Sequence, residues 1–332
     1  MANNNIKTKF ANLELSNPII ASSCSLTGSA RGNQALAAAN VGAIVLKSLF
    51  EEDIIRESAA LSAAAEHTEA SDYMQAYIES NALGGYIALI QESKELCGIT
   101  PIIASINCTK DGQWVEYARA IEAAGADALE LNVMTIESDM MGEDGALERR
   151  HIAIAKAIRE VVSIPIIMKL GALVSNHISL ISRLQACGID GFVLFNRAYP
   201  LDIDIEEMKY VHGAILSSES DFATPLRYTA MTSAAVPTAS LALSGGVQDG
   251  ECIIKSILAG ASAVEVCSTL YREGDNVGKW IATAIETLEA WEAKHGYESI
   301  DEFRTVMNSK SDEHRDSVMR SQFLKHFGTY KL

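Results

Sequence analysis

The 332-residue chain carries 43 acidic against 27 basic side chains, a formal net charge of −16 at pH 7. That surplus repels nucleic acid and anionic membrane surfaces, so the expected partner is a small-molecule substrate, with no nucleic acid and no membrane. Hydrophobic residues at 48% and charged residues at 21% suit a soluble globular enzyme large enough to bury a sizeable core.

The opening Met-Ala-Asn-Asn-Asn-Ile-Lys has no apolar signal region, and no apolar run reaches membrane-spanning length, so a cytoplasmic location is expected. Short apolar runs then recur, each closed by small or polar residues: 18–23, 43–48, 101–107, 128–132, 165–170, 191–196, 240–245 and 263–268. Runs apolar on both faces suit parallel strands covered by helices. Several are preceded by a similar phrase, Ala39-Asn-Val-Gly-Ala43, Ala123-Ala-Gly-Ala-Asp127, Ala186-Cys-Gly-Ile-Asp190 and Leu258-Ala-Gly-Ala-Ser262, which reads as a helix closed by a Gly cap before a strand. Eight such units predict an α/β fold, a (β/α)₈ TIM barrel in a single domain. No Gly-x-Gly-x-x-Gly follows the first strand, which disfavours an open dinucleotide-binding sheet.

Long loops are expected after strands 2, 4 and 6: residues 50–99, which hold enough chain for a lid and a helix, the acidic stretch 135–148, and 197–237. Trp280–His295 reads as a helix with Ile281, Ala284, Ile285, Leu288 and Trp291 on one face, stopping at Gly296. The barrel with its C-terminal helix is expected to span 7–304, and 305–332 to form a charged surface tail.

In such a barrel the chemistry lies at the C-terminal ends of the strands. Those ends read Ser22, Lys47-Ser48, Asn107, Asn132, Lys169, Asn196, Ser244-Gly245-Gly246 and Cys267-Ser268. Two lysines and three asparagines on otherwise apolar strands call for an anion or a hydrogen-bonding ligand, because a buried lysine is costly without one. The glycines and serines of the last two units suit a phosphate, held by backbone N–H groups and a helix N-terminus. Flavin mononucleotide matches both halves. The six cysteines (24, 97, 108, 187, 252 and 267) form no Cys-x-x-Cys or Cys/His cluster, so neither a zinc nor an iron–sulfur site is expected. Weaker candidates for a catalytic base are Glu137 and Asp139 on an acidic loop, Cys24 and Cys108, which follow strand ends and could face the flavin, and His177 and His212 on expected loops.

The motifs Asn17-Pro-Ile-Ile, Val45-Leu-Lys-Ser48, Glu130-Leu-Asn132, Ile167-Met-Lys169, Phe195-Asn196, Leu243-Ser-Gly-Gly-Val247 and Leu258-Ala-Gly-Ala resemble the dihydroorotate dehydrogenases, as does Gly296-Tyr-Glu-Ser-Ile-Asp-Glu-Phe-Arg304. The likeness runs from about Lys7 to Arg304. It implies FMN as cofactor, with Lys47, Ser48, Asn107, Asn132 and Lys169 near the flavin ring and Gly245, Gly246, Cys267 and Ser268 at the phosphate. It implies oxidation of dihydroorotate to orotate in pyrimidine biosynthesis, substrate contacts from Asn81, Asn132 and Asn196, and, on the same grounds alone, a homodimer. The catalytic loop departs from the family: Asn132-Val-Met-Thr135-Ile-Glu137 stands where a Ser/Cys–Pro–Asn signature is usual, so Thr135 falls at the position of the catalytic base and Glu137 at that of a substrate-binding Asn. Arg197 follows Asn196 where a small hydroxyl residue is usual. This profile resembles a divergent branch of the family, and it leaves two other readings open: an FMN oxidoreductase with a different substrate, or a flavin-binding protein without dehydrogenase activity.

Overall fold

Each of the eight apolar runs forms a strand in the computed structural model, which describes residues 6–50, 69–107, 113–134, 142–198 and 200–319, with side chains from residue 82 in the second stretch and residue 114 in the third. The chain begins with an antiparallel hairpin, β1 (Thr8–Phe10) and β2 (Leu13–Leu15). The barrel strands are β3 (Ile19–Ala21), β4 (Ala43–Val45), β6 (Ile102–Asn107), β7 (Ala128–Val133), β8 (Ile166–Gly171), β9 (Gly191–Asn196), β12 (Leu241–Ser244) and β13 (Ala263–Val266). The two-residue β5 (Leu49–Phe50) adds to the end of β6, and β10 (Leu201–Asp204) pairs with β11 (Lys209–His212) as a separate hairpin. The eight barrel strands pair in parallel as β4-β3-β13-β12-β9-β8-β7-β6, and β4 pairs with β6 to close the ring.

The first six barrel strands are followed by helices α1 (Ala30–Ala38), α2 (Glu69–Leu96), α3 (Gln113–Ala123), α4 (Ala146–Arg159), α5 (His177–Ala186) and α6 (Ala223–Ala235). After β12 and β13 come α7 (Gly250–Ala259), the short α8 (Ser268–Glu273) and α9 (Val277–His295), and then α10 (Ile300–Phe303) and α11 (Asp312–Met319). Alternation along each strand divides the apolar residues between two cores. Leu129, Leu131 and Val133 of β7, like Ile166, Met168 and Leu170 of β8, face the helices. Ala128, Ile167, Val193, Ala242 and Ala263 face inward, where Phe10, Ala11 and Leu15 of the first hairpin plug the bottom of the barrel.

The helix-to-strand phrases hold, with one difference. Gly125, Gly188 and Gly260 take left-handed backbone (φ 91°, 91° and 115°), but in the first phrase Asn40 fills that role (φ 67°). Asparagine tolerates this conformation through its short polar side chain. Gly42 is instead needed for space, since a Cβ there would lie 2.0 Å from the carbonyl oxygen of Asn17. Helix α9 buries Ile281, Ala284 and Leu288 and ends at Gly296 in left-handed conformation. Beyond α10 the chain docks on the barrel helices: Thr305 and Met307 donate backbone hydrogen bonds to Ile257 and Leu258, and Ser309 donates to Ala230.

Candidate active site

Above the apolar plug the inward-facing positions turn polar. Two residues beyond Ile20, Ile103, Ala128, Ile167 and Ala263 come Ser22, Ser105, Glu130, Lys169 and Glu265, all buried. Lys169 donates to Glu265 at 2.6 Å and to Ser22 at 2.9 Å, and Ser22 donates to Glu265 at 2.8 Å. Ser105 donates to Glu130 at 3.2 Å. Its backbone N–H donates to the Tyr86 hydroxyl, which in turn donates to the Ser105 carbonyl.

Two carboxyls share this closed layer with one ammonium, so their protonation is divided. Burial, then the neighbouring Glu265 charge, pushes Glu130 well above the ordinary carboxylate range. Burial is the largest influence on Glu265 and works against its ionised form, but the Lys169 charge together with hydrogen bonds from Glu130, Lys169 and Ser22 outweighs it and holds that carboxyl low. Burial alone would lower the Lys169 ammonium; Glu265 and Glu130 outweigh it and keep the lysine charged. Neutral Glu130 therefore donates to ionised Glu265, which accounts for Glu130 Oε2 and Glu265 Oε1, two buried oxygens with no other partner. The layer is electrically balanced, with a lysine ammonium at its upper edge.

Over it opens a cleft of about 620 Å³, lined by Lys47, Ser48, Asn107, Asn132, Lys169, Asn196 and Cys267. Ordinary small-molecule sites run to roughly 300–1,000 Å³, so the cleft has the size of such a site. Asn196 donates to Asn132 Oδ1 at 2.6 Å, holding two amides edge to edge. Ser48 is buried in a hydroxyl chain between Ser23 and Ser105, at 3.0 and 2.8 Å. Lys47 is exposed to the cleft.

The cleft continues into a narrower pocket lined by Ser22, Lys169, Asn196, Ser244, Gly245, Gly246, Cys267 and Ser268. Gly245 and Gly246 have φ of 108° and 70°. A Cβ on Gly246 would lie 2.4 Å from the backbone nitrogen of Phe222, so only glycine admits the crossing segment. That segment also supplies Ser217, whose hydroxyl accepts from the Gly246 N–H at 3.3 Å while its own N–H donates to Ser268 Oγ at 2.9 Å. Arg272 ties the same segment down through the Ser217 carbonyl and Gln248.

All twelve strand-end residues named from the sequence thus gather on these two adjoining pockets. Thr135, Glu137, Asp139 and Cys108 lie outside the described residues, and so does the side chain of Asn81, whose backbone falls in α2. His177 opens α5 rather than lying on a loop, and it is buried against the rings of Phe195 and Tyr228, away from the cleft. His212 stands exposed on β11. Cys24 does line the cleft, with Tyr271 beside it. Arg197 lines both pockets and also turns away from them: its two terminal nitrogens bond the carbonyls of Ala214 and Ile215 at 3.0 and 2.9 Å, and Nε lies 3.6 Å from Asp221. It braces the excursion after β9.

Sequence reasoning passed over Glu265 as a functional residue and cited Glu130 only within a motif. The signal for both is a carboxylate in an otherwise apolar strand, Ala128-Leu-Glu-Leu and Ala263-Val-Glu-Val, at the inward phase of the alternation. Among the described residues no group of three or more His, Cys, Asp or Glu is placed to hold a metal ion, and no helix is long and apolar enough to cross a membrane.

A closed (β/α)₈ barrel with lysines and amides around a deep cleft, and a Gly-Gly rim on its last two units, defines the class: a barrel built to hold a large polar ligand at its C-terminal face. Residues 5–288 match the family model described as Dihydroorotate dehydrogenase, and the chain belongs to that family. It is 30% identical over 209 residues to the "Dihydroorotate dehydrogenase B (NAD(+)), catalytic subunit" of Bacillus pumilus, covering 61% of this chain and 66% of the relative. The protein of the same description from Methanosarcina mazei is 29% identical over 222 residues, covering 65% and 68%. The "Dihydroorotate dehydrogenase A (fumarate)" of Lactobacillus delbrueckii subsp. bulgaricus is 29% identical over 206 residues, covering 61% and 66%. The chain thus spans about two thirds of the length of the curated relatives it matches.

Proposed function

We propose that this protein is an FMN-dependent oxidoreductase of pyrimidine biosynthesis that converts dihydroorotate to orotate in the cytoplasm. The observation that carries the reading is the placement of Lys169 at the floor of a cleft rimmed by the family's amides and by Gly245-Gly246. Two of the three Lys169 N–H donors are taken by Ser22 and Glu265, leaving one for a ligand above. The donor set fits FMN. Lys169, Ser48 and the Asn132–Asn196 pair match the polar edge of an isoalloxazine ring, and Ser244, Gly245, Gly246, Cys267 and Ser268 form a rim without bulky side chains for the phosphate.

When bound, FMN supplies the hydride acceptor. The chain's own part would be to hold ring and substrate in one cleft, to present the Lys169 ammonium at its floor, and to take a proton from the substrate. The Lys169 charge is neutralised from below by Glu265 and stays in place whatever the cleft contains, so positive potential is available without reorganisation. We assign proton removal to Thr135, three residues beyond Asn132, with Asn132 and Asn196 orienting the substrate and Asn81 as a further substrate contact. Threonine is a weak base and needs a neighbouring acceptor to relay its proton.

The same protein is proposed to self-associate through the β10–β11 hairpin. Leu201, Ile203, Ile205, Met208 and Tyr210 stand there 56–86% exposed, a dense apolar surface that a second copy would cover.

Anaerobic mixing of the purified protein with dihydroorotate, following visible flavin absorbance, tests the function. Bleaching is the expected result. A yellow protein that bleaches with dithionite but not with dihydroorotate would overturn the substrate, and a colourless protein that takes up no FMN would overturn the cofactor.

A further inference from the structure

Closing the barrel brings two cysteines together from opposite ends of the chain. β13 pairs with β3 in the register Val266 to Ala21, and the Ser22 N–H donates to the Val266 carbonyl at 2.9 Å. Cys267 follows the end of one strand and Cys24 lies just past the end of the other, so both thiols reach the same corner of the cleft, each partly exposed and each lining its wall. Tyr271 pins the corner, accepting from the Ser25 N–H at 2.9 Å and bonding the Ser25 hydroxyl. The geometry points to Cys24 and Cys267 as a redox-active dithiol, a thiol–disulfide exchange site for small disulfides opening on the cleft.

The two thiols are electrostatically unequal. The Cys267 thiol donates to Cys24 and draws that thiol down to about 6, so it is largely thiolate at neutral pH. The same hydrogen bond, and then burial, pushes Cys267 up and keeps it protonated. Cys24 is therefore the attacking sulfur and Cys267 the resolving one. Cys24 thiolate attacks one sulfur of a disulfide R–S–S–R, forming a mixed disulfide and expelling RS⁻, which takes up a proton. Once Cys24 is no longer an anion, the bond that held the proton on Cys267 is gone, and the Lys169 ammonium nearby favours its thiolate. Cys267 then loses its proton to solvent and attacks Cys24 Sγ, expelling the second RS⁻. Two protein thiols are oxidised to one disulfide and one small disulfide is reduced to two thiols. None of these steps passes electrons to the flavin, but both thiols line the cleft proposed for it, so the exchange is followed on flavin-free protein and again with FMN added.

The test is exposure of the purified full chain to oxidised glutathione, followed by intact mass and a non-reducing peptide map. The expected product has lost two hydrogens, carries no glutathione, joins the Cys24 and Cys267 peptides, and reverts with dithiothreitol. Cys267→Ser should stop at one glutathione on Cys24, and Cys24→Ser should leave Cys267 unmodified over the same exposure. Cys267→Ala should slow iodoacetamide labelling of Cys24 at pH 7 on the order of tenfold, because the thiolate fraction falls. A wild-type protein that keeps both thiols, that retains a stable glutathione on Cys24, or that links either cysteine to a different one would overturn the assignment.

Discussion

Replacing Lys169 with methionine keeps most of the side chain and removes the one cation that the described residues place in the buried layer beneath the cleft. In the parent, Lys169 lies 2.6 Å from Glu265 with side-chain exposures of 9% and 1%, and its charge is what holds that carboxyl low against burial. Without it, Glu265 sits fully buried beside Glu130 and rises above the ordinary carboxylate range, so folding of the variant takes up one proton more than folding of the parent. A carboxyl whose folded value lies above its unfolded value of about 4.3 gives full stability below that value and loses it as pH rises, at about 1.4 kcal/mol per pH unit. Buried carboxyls reach values of about 8–9, so the loss continues through neutrality. Between pH 5 and pH 7 the Lys169→Met protein should therefore lose about 3 kcal/mol more than the parent, a large share of a typical stability of about 5–15 kcal/mol. Urea unfolding of flavin-free protein at pH 5, 6 and 7, with midpoints compared at constant slope, measures this directly. Adding Glu265→Gln should remove the extra titration and return the pH dependence to that of the parent. Parallel pH profiles for Lys169→Met and the parent would refute the account of the layer.

Four further outcomes are expected. Gly246→Ala puts a Cβ 2.4 Å from the Phe222 nitrogen at a φ of 70°, which should cost about 1–3 kcal/mol of stability and reduce the flavin content of the purified protein. Glu292 is buried on α9, and neither of its carboxylate oxygens has a partner. Burial, then Glu289 and Glu302, raises it to about 7, so Glu292→Leu should stabilise by about 1–3 kcal/mol at pH 8 and by progressively less toward pH 5 in thermal or urea unfolding. Ile205→Glu with Met208→Glu should reduce the sedimenting species to a monomer if β10–β11 forms the self-contact; an unchanged mass would remove that proposal. Thr135→Ala should slow flavin bleaching by dihydroorotate about 10²–10⁴-fold, the usual contribution of a general base, while leaving flavin binding intact. A rate within a few-fold of the parent would take the proton-removing role away from Thr135.

The cofactor-side residues were legible because they obey a local rule. Ser22, Lys47, Asn107, Asn132, Lys169 and Asn196 each close an apolar run, and in a parallel barrel every such end points to one face. Gly245 and Gly246 were legible as a pair, but the reason they must be glycine was not, because the segment that crowds Gly246 comes from Phe222. Arg197 reads in the sequence as a departure at the substrate position. In the structure it also bonds Ala214 and Ile215 and faces Asp221, since the excursion after β9 folds back over it.

By itself the amino-acid sequence determined the repeating βα units, the closed barrel they imply and the set of side chains at its open end, because periodicity and turn chemistry act over a few residues at a time. Only the tertiary structure decided which of those side chains act on one another. Lys169 meets Glu265 across 96 positions of the chain and Ser22 across 147, and Cys24 meets Cys267, because ring closure pairs the last strand with the first and alternation turns those residues inward. Once such groups share a closed space, the charge of each depends on its neighbours. One glutamate stays protonated, another ionised, and one thiol becomes acidic at the expense of its partner.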